Sequence, residues 1–273
     1  MCAEHLLYTK LAKYYDIIYR DYLKYEVPKL VDAVEEVFRR YAGRRVERVL
    51  DVACGTGGPT LELAKRGYVV VGVDLYREVV EVAREKAHRM GVEVEFKVTD
   101  ARRLREVFPR ESFDAVTMFF SSINYMLGLD DLVSLLRSVK HVLRDNGVFV
   151  ADAPNPYDSM YRYGLSGVYK ATVWSVKSTE TDEDLVITDW REIANWLQGI
   201  IKFMRLVTIV KENGETRSYL VDDSLRLYTG LELELTARQV GFSKVEVLCY
   251  SSGKVSEPAR NEKCSRIILV AVK

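Results

Sequence analysis

Three aspartates, Asp51, Asp74 and Asp100, stand at or just beyond the ends of successive apolar runs, and the small residues Ala53-Cys54-Gly55-Thr56-Gly57-Gly58 follow the first of them. A bend of this kind lets backbone approach a ligand that larger side chains would fend off. Pro59 then sets the first helical dihedral without wasting a donor, and the helix start points unpaired N–H groups at whatever lies there. Asp74 closes the run Tyr68-Val69-Val70-Val71-Gly72-Val73. It lies about twenty residues beyond the bend, the distance one βαβ unit requires, so its carboxylate can take both hydroxyls of a ribose. Standing alone, such an aspartate would be a turn or a helix cap. Asp100-Ala101 follows the alternating run Val94-Glu95-Phe96-Lys97-Val98, where a carboxylate can accept from an adenine amino group.

The bend also discriminates between nucleotides. A dinucleotide fingerprint needs a third glycine where Thr60 stands, and a Walker loop needs a lysine that this one lacks. The strand ending in Asp51, the loop from Ala53 to Gly57, Asp74 and Asp100 together resemble the S-adenosylmethionine site of the class I methyltransferases, over residues 45–155. Within that superfamily the chain is similar to the small-molecule branch that includes glycine and amino-sugar N-methyltransferases and archaeal methyltransferase-like proteins. The carriers are Asp51 to Gly57, the segment Phe113 to Tyr125, and Tyr14-Tyr15-Asp16-Ile17-Ile18-Tyr19-Arg20. Ala53 departs from the glycine common in the superfamily, by one methyl group.

The resemblance implies roles residue by residue. Asp51 orients the loop and reaches the methionine amino end, Ala53, Cys54 and Gly55 pass beneath the cofactor, Asp74 with Leu75 holds the ribose side, and Asp100 with Ala101 holds the adenine. Tyr15 and Arg20, on an N-terminal lid, meet the methionine end or the acceptor, and Phe119 flanks the cofactor. Ser122, Asn124 and Tyr125 face the acceptor, although Ser and Asn would equally suit a helix-capping loop. Tyr157, Met160, Tyr161 and Tyr163 are expected at the same mouth. Asn155-Pro156-Tyr157 resembles the Asn-Pro-Pro-Tyr element of adenine and glutamine N-methyltransferases, but it follows the fifth strand rather than the fourth and reads as a turn.

Elements that could position these groups follow from periodicity. Residues 5 to 25 carry tyrosines, Leu and Ile at helical spacing and predict an amphipathic helix packing on the core. A second helix runs from Pro28 to Tyr41. Strands are expected at Arg48–Ala53, Tyr68–Asp74, Glu93–Val98, Phe113–Phe119 and Gly147–Asp152, alternating with helices at Pro59–Lys65, Arg77–Met90 and Asp130–Leu143. Such alternation predicts an α/β fold, a doubly wound, mostly parallel seven-stranded sheet with ligands at its carboxyl ends. Residues 156–226 read differently: strands at Ala171–Val176 and Leu185–Arg191, and an Asn-Gly turn at Asn213 between two alternating runs, predict a small antiparallel insertion. It is either a substrate roof or a cover for a sheet face or homodimer contact. Thr229-Gly230-Leu231-Glu232 is a capping box for a helix reaching Gly241, and Lys244–Tyr250 and Arg266–Val272 close the sheet as a reversed pair. The expected division is a lid at 1–44, a catalytic core at 45–155 and 227–273, and the insertion at 156–226.

Composition sets the outer bounds. With 273 residues, 48% of them hydrophobic and 29% charged, the chain is globular. Equal counts of 40 acidic and 40 basic residues argue against a nucleic-acid partner. The absence of a membrane span or signal-peptide pattern leads to a cytoplasmic expectation, and sparse glutamine points to a thermophile. Cys2, Cys54, Cys249 and Cys264 show no metal spacing, and Cys249 and Cys264 are expected as free buried thiols, a bridge between them being the alternative in a thermophile. His88 and His141 fall on expected surface helices, so no base is assigned. The expected activity is methyl transfer from S-adenosylmethionine to a small molecule, at nitrogen in preference to oxygen. The alternatives are an NAD(P)-dependent oxidoreductase and a cofactor-binding scaffold without turnover.

Overall fold

The computed structural model describes residues 5–163, 172–177, 183–195, 197–251, 253–256 and 264–273, with the side chains of 160–163 and 192–193 outside that description. Strands β1 (Arg48–Val52), β2 (Val69–Asp74), β3 (Glu95–Val98), β4 (Phe113–Met118) and β5 (Leu143–Pro154) are parallel; β12 (Arg266–Val272) alone runs reversed beside β5, and β10 (Lys244–Ser251), antiparallel to β12, points the same way as β5 rather than forming the expected reversed pair. A short β11 (Lys254–Ser256) pairs with the outer edge of β10, so the sheet has eight strands in the order β11-β10-β12-β5-β4-β1-β2-β3, one more than expected. Three residues after a turn are too few to show a period, which is why β11 was illegible.

Both faces of this sheet are covered, as its near-continuous Val, Ile and Leu runs require. Helix α2 (Val27–Tyr41) lays Leu30, Val31, Val34, Val37 and Phe38 on one face, with Leu63 of α3 (Gly58–Lys65). On the other, Leu132, Leu135, Leu136 and Val139 of α5 (Leu129–Val142) meet Leu233 and Ala237 of α7 (Gly230–Val240). Helix α4 (Arg77–Met90) seats Val80, Ala83 and Ala87 against Cys54 and Phe96. The capping box on α7 is present: Glu232 N donates to Thr229 Oγ1 at 3.2 Å and Thr229 N to Glu232 Oε2 at 2.8 Å.

The insertion is a second sheet, β6 (Thr172–Lys177), β7 (Glu183–Asn195), β8 (Ile200–Lys211) and β9 (Thr216–Arg226), paired antiparallel in chain order. The Asn-Gly turn joins β8 to β9, with Gly214 at φ +82° and Asn213 Oδ1 accepting from Glu215 N. Residue 171, the expected start of β6, lies outside the described residues.

The N-terminal segment differs from its expectation. It is a chain of short turns, a one-turn helix α1 (Tyr15–Ile18) and a π-helical turn at Tyr22–Glu26, rather than one amphipathic helix. Its apolar residues Leu7, Leu11, Tyr14 and Ile18 pack on Leu185, Ile187, Val207 and Val221 of the insertion sheet. A regular helix presents a single stripe, whereas this segment serves the insertion sheet on one side and a ligand cavity on the other.

The cysteine expectation is also corrected. Cys249 on β10 and Cys264, ahead of β12, form a disulfide with a Cα separation of 5.4 Å. In the β10–β12 register Cys249 faces Ile267, so Cys264 reaches it from the segment that leads into β12. Cys54 remains a free buried thiol.

Candidate active site

The carboxyl ends of β1, β2 and β4 open into a cavity of about 730 Å³ roofed by the N-terminal segment. Asp51, next to last in β1, lines it and is 1% exposed. Thr60 Oγ1 donates to its Oδ2 at 2.6 Å and Thr117 Oγ1 to its Oδ1 at 2.8 Å. Burial nevertheless pushes its carboxyl up to about 6, because two neutral donors do not replace bulk water. Thr60 is the residue standing where a dinucleotide fingerprint has glycine, and its hydroxyl is what clasps Asp51.

The bend after β1 has Ala53 at φ +55° and Gly55 at φ +53°. A Cβ on Gly55 would meet nothing within 4 Å, so this position opens onto the cavity. Gly58 instead lets the N-terminal segment approach, since a Cβ there would lie 2.7 Å from Leu23. Thr56 likewise turns to the N-terminal segment, donating to Asp16 Oδ1 at 2.5 Å, while Lys86 Nζ holds the other oxygen of Asp16.

Asp74 clasps the bend from the next strand. Gly55 N donates to its Oδ2 at 2.8 Å and Tyr76 N to its Oδ1 at 3.0 Å, which offsets part of the burial that raises its carboxyl. Asp100 caps a 3₁₀ turn through Arg102 N at 2.8 Å and is forked by the Arg102 guanidinium, which holds its carboxyl below the ordinary range. Both acids therefore accept from backbone N–H groups and line the cavity at once. Arg102, itself anchored on Asp131 at 2.5 Å, was not foreseen. Its spacing from Asp100 by two residues was the available signal.

Among the other expected residues, Tyr15, Cys54, Leu75, Ala101, Phe119, Ser122 and Tyr125 line this cavity. Leu75 is 52% exposed, an apolar face offered beside Asp74. Tyr15, Tyr19, Tyr22 and Phe120 form an interlocked group of rings with centroid separations of 4.4–6.5 Å, and all of them line it. Aromatic faces of this kind favour a cation. Arg20 is not brought to the site: its Nη2 donates to Lys177 O of β6 at 2.8 Å. Lid residues between Tyr15 and Arg20 divide their directions between cavity and insertion sheet.

A second cavity, of about 660 Å³, lies between the ends of β4 and β5 and the insertion sheet. Tyr8, Tyr19, Phe120 and Tyr125 line both cavities and form their common wall. Asn124 lines the second, with Nδ2 donating to Arg226 O at 2.5 Å and a fully buried Oδ1 that has no protein partner. Tyr157 also borders it. The expected contributions of Met160, Tyr161 and Tyr163 lie outside the described side chains. Asn155 caps a helix, α6 (Pro156–Tyr163), rather than making the expected turn: its Oδ1 accepts from Tyr157 N at 3.1 Å and its carbonyl from Ser159 N at 3.0 Å. Buried ion pairs brace this cavity: Arg205 forks Asp189 at 2.6 and 2.7 Å, and Arg266 pairs with Asp152.

Residues 49–147 match the family model described as a methyltransferase domain. Over those residues the chain carries a methyltransferase domain. This methyltransferase core is 38% identical over 113 residues to a demethylmenaquinone methyltransferase of Thermus thermophilus, covering 40% of this chain and 49% of that protein. The chain spans about half the length of the curated relatives first matched. Solved structures resemble nearly all of the fold. A Clostridium acetobutylicum S-adenosylmethionine-dependent methyltransferase superposes with a TM-score of 0.72 at 20% identity, over 97% of this chain and 98% of that one. A sugar N-methyltransferase from Streptoalloteichus sp. gives 0.72 at 20%, over 95% and 92%. Among the described residues, no helix is long and apolar enough to cross a membrane.

The residues present fit S-adenosylmethionine. Gly55 supplies a cradle that a side chain would fill, Asp74 and Asp100 line the sugar-and-base side, Asp51 can receive an ammonium, and the aromatic group suits a sulfonium.

Proposed function

We propose that the chain transfers a methyl group from S-adenosylmethionine to a small-molecule acceptor, at nitrogen in preference to oxygen. The observation that carries this reading is the pair of cavities meeting at one aromatic wall, Tyr8, Tyr19, Phe120 and Tyr125, with the cofactor residues on one side and Asn124 on the other. S-adenosylmethionine supplies an electrophilic methyl on a cationic sulfur. The chain's work is to hold two reactants in line and exclude water, and such positioning can contribute on the order of 7 to 11 kcal/mol. Asp51, Asp74 and Asp100 fix one reactant. Similarity to a sugar N-methyltransferase supports an amine on a polar carbon skeleton. The insertion and lid then serve as the roof over both reactants.

The oxidoreductase alternative is not favoured, since Thr60 occupies the position where a pyrophosphate would need bare backbone and is committed to Asp51. The test is calorimetric titration with S-adenosylhomocysteine and with NADH, followed by transfer of labelled methyl from S-adenosylmethionine to glucosamine, glycine and catechol. Binding of S-adenosylhomocysteine with methylation of an amine is expected. Binding of NADH alone, or cofactor binding without methylation of any of the three, would overturn the reading, the latter outcome favouring a scaffold.

A further inference from the structure

Four polar side chains distant in sequence form one hydrogen-bonded line beside the shared wall. Tyr8 Oη lies 2.7 Å from Tyr125 Oη, Tyr125 Oη donates to Asp223 Oδ2 at 3.3 Å, and Asp223 Oδ1 lies 2.5 Å from His5 Nδ1. Asp223 is 1% exposed, on β9 of the insertion, whereas the His5 side chain is 27% exposed at the outer end. Since Tyr125 donates toward Asp223, Tyr8 donates toward Tyr125, which leaves lone pairs on Tyr8 Oη at the wall common to both cavities. The rings of His5 and Tyr8 pack on Tyr76, Tyr8 stacking on it with centroids 5.6 Å apart, so the line is held from three elements.

We propose that Tyr8, Tyr125 and Asp223 conduct a proton away from the methyl acceptor, with His5 as the positioning residue that sets the charge of Asp223. The proposal rests on the methyl-transfer reading above. Methyl transfer forms a bond from the acceptor nitrogen to carbon and breaks the carbon–sulfur bond, whose electron pair stays on sulfur and cancels its positive charge. The acceptor nitrogen becomes cationic and must shed a proton. That proton passes to Tyr8 Oη as the Tyr8 hydroxyl proton moves to Tyr125 and the Tyr125 proton to Asp223 Oδ2. The Asp223–His5 pair takes up one positive charge, and the solvent-contacting imidazole returns the pair to its starting charge by exchange with water.

The neighbouring groups are consistent with this direction. Tyr8, Tyr15 and Tyr19 face the line from the lid, Tyr76 and Asp74 from the end of β2, Tyr125 from the segment after β4, and Asp222 and Asp223 from β9. Lys202 pairs with Asp222, and Arg205 donates to Tyr19 Oη at 2.9 Å, so neither cation sits on the line. Burial raises the hydroxyls of Tyr8 and Tyr125, which keeps both protonated and able to relay rather than store charge. The hydrogen bond to Asp223 raises His5 above its ordinary 6.5.

The experiment measures single-turnover methylation of glucosamine, glycine and catechol across pH 5 to 9, with the histidine rings followed by NMR. Only three histidines occur, so His5→Gln assigns the resonance. The wild-type rate is expected to rise with pH as the His5 imidazole gives up its proton. Asp223→Asn lowers it about 10² to 10⁴-fold without that limb, with partial rescue by Asp223→Glu, while S-adenosylhomocysteine affinity stays within about threefold. His5→Gln removes the limb, because the imidazole that exchanges the proton with water is lost. In the NMR titration, His5 is expected above its ordinary value in the wild type and near it in Asp223→Asn. Tyr125→Phe, which removes one oxygen from the line, gives the same loss of rate and serves if Asp223→Asn does not fold. Wild-type methylation with an unchanged rate and pH limb in Asp223→Asn or Tyr125→Phe overturns the relay alone, as does an unshifted His5. Cofactor binding without methylation of any probe overturns the methyl-transfer reading and the relay with it.

Discussion

Asp51→Asn separates what the methyltransferase core needs for binding from what it needs for stability. The carboxyl is raised from its ordinary 3.8 to about 6 by burial, which the hydroxyls of Thr60 and Thr117 only partly oppose. A carboxyl raised on folding destabilises the folded chain in full above the folded value, and the penalty fades as pH falls from about 6 toward 3.8. At 1.36 kcal/mol per tenfold change in proton affinity, the penalty at pH 8 is ~3 kcal/mol. Asparagine keeps an acceptor for one threonine and offers a donor to the other without a charge. The cofactor-free Asn variant should therefore be more stable than the wild type by up to ~3 kcal/mol at pH 8 in urea titrations, with the difference shrinking at pH 5. Its affinity for S-adenosylhomocysteine should fall by ~1.5 to 3 kcal/mol, the scale of a hydrogen bond to a charged group. Equal stabilities at pH 8, or a difference that widens on acidification, would refute the reasoning.

Other perturbations test separate parts of the assembly. Asp74→Ala removes the clasp on Gly55 and Tyr76 as well as a ligand contact, and calorimetry should show ~1.5 to 3 kcal/mol less affinity for S-adenosylhomocysteine. Cys264→Ser opens a loop closed over a separation of 15 residues, which should lower unfolding free energy by ~3 kcal/mol in non-reducing urea titrations; a wild type unaffected by reductant would contradict the bridge. Thr229→Ala leaves the first turn of α7 without its cap, and thermal melts should register about 1 kcal/mol of lost stability with cofactor affinity unaltered.

The sequence by itself determined the parts whose causes are local. The small-residue bend, the strand ends at Asp51 and Asp74, the capping box at Thr229 and the Asn-Gly turn each depend on neighbours within a few positions, and each appears where its residues dictate. The alternation of Val-rich runs with amphipathic helices likewise carried the parallel sheet, because both signals repeat within a dozen residues. Tertiary structure decided the rest. Arg20 went to β6 instead of the cavity, and the lid broke into turns, because the insertion sheet competes with the cofactor site for the same segment. The Cys249–Cys264 pairing depended on how the segment ahead of β12 folds back to β10. His5 and Asp223 lie 218 positions apart, and only the docking of the lid on β9 brings them into one line with Tyr125. Periodicity and turn chemistry act along the chain, whereas a site assembled from lid, core and insertion depends on how three packed layers meet.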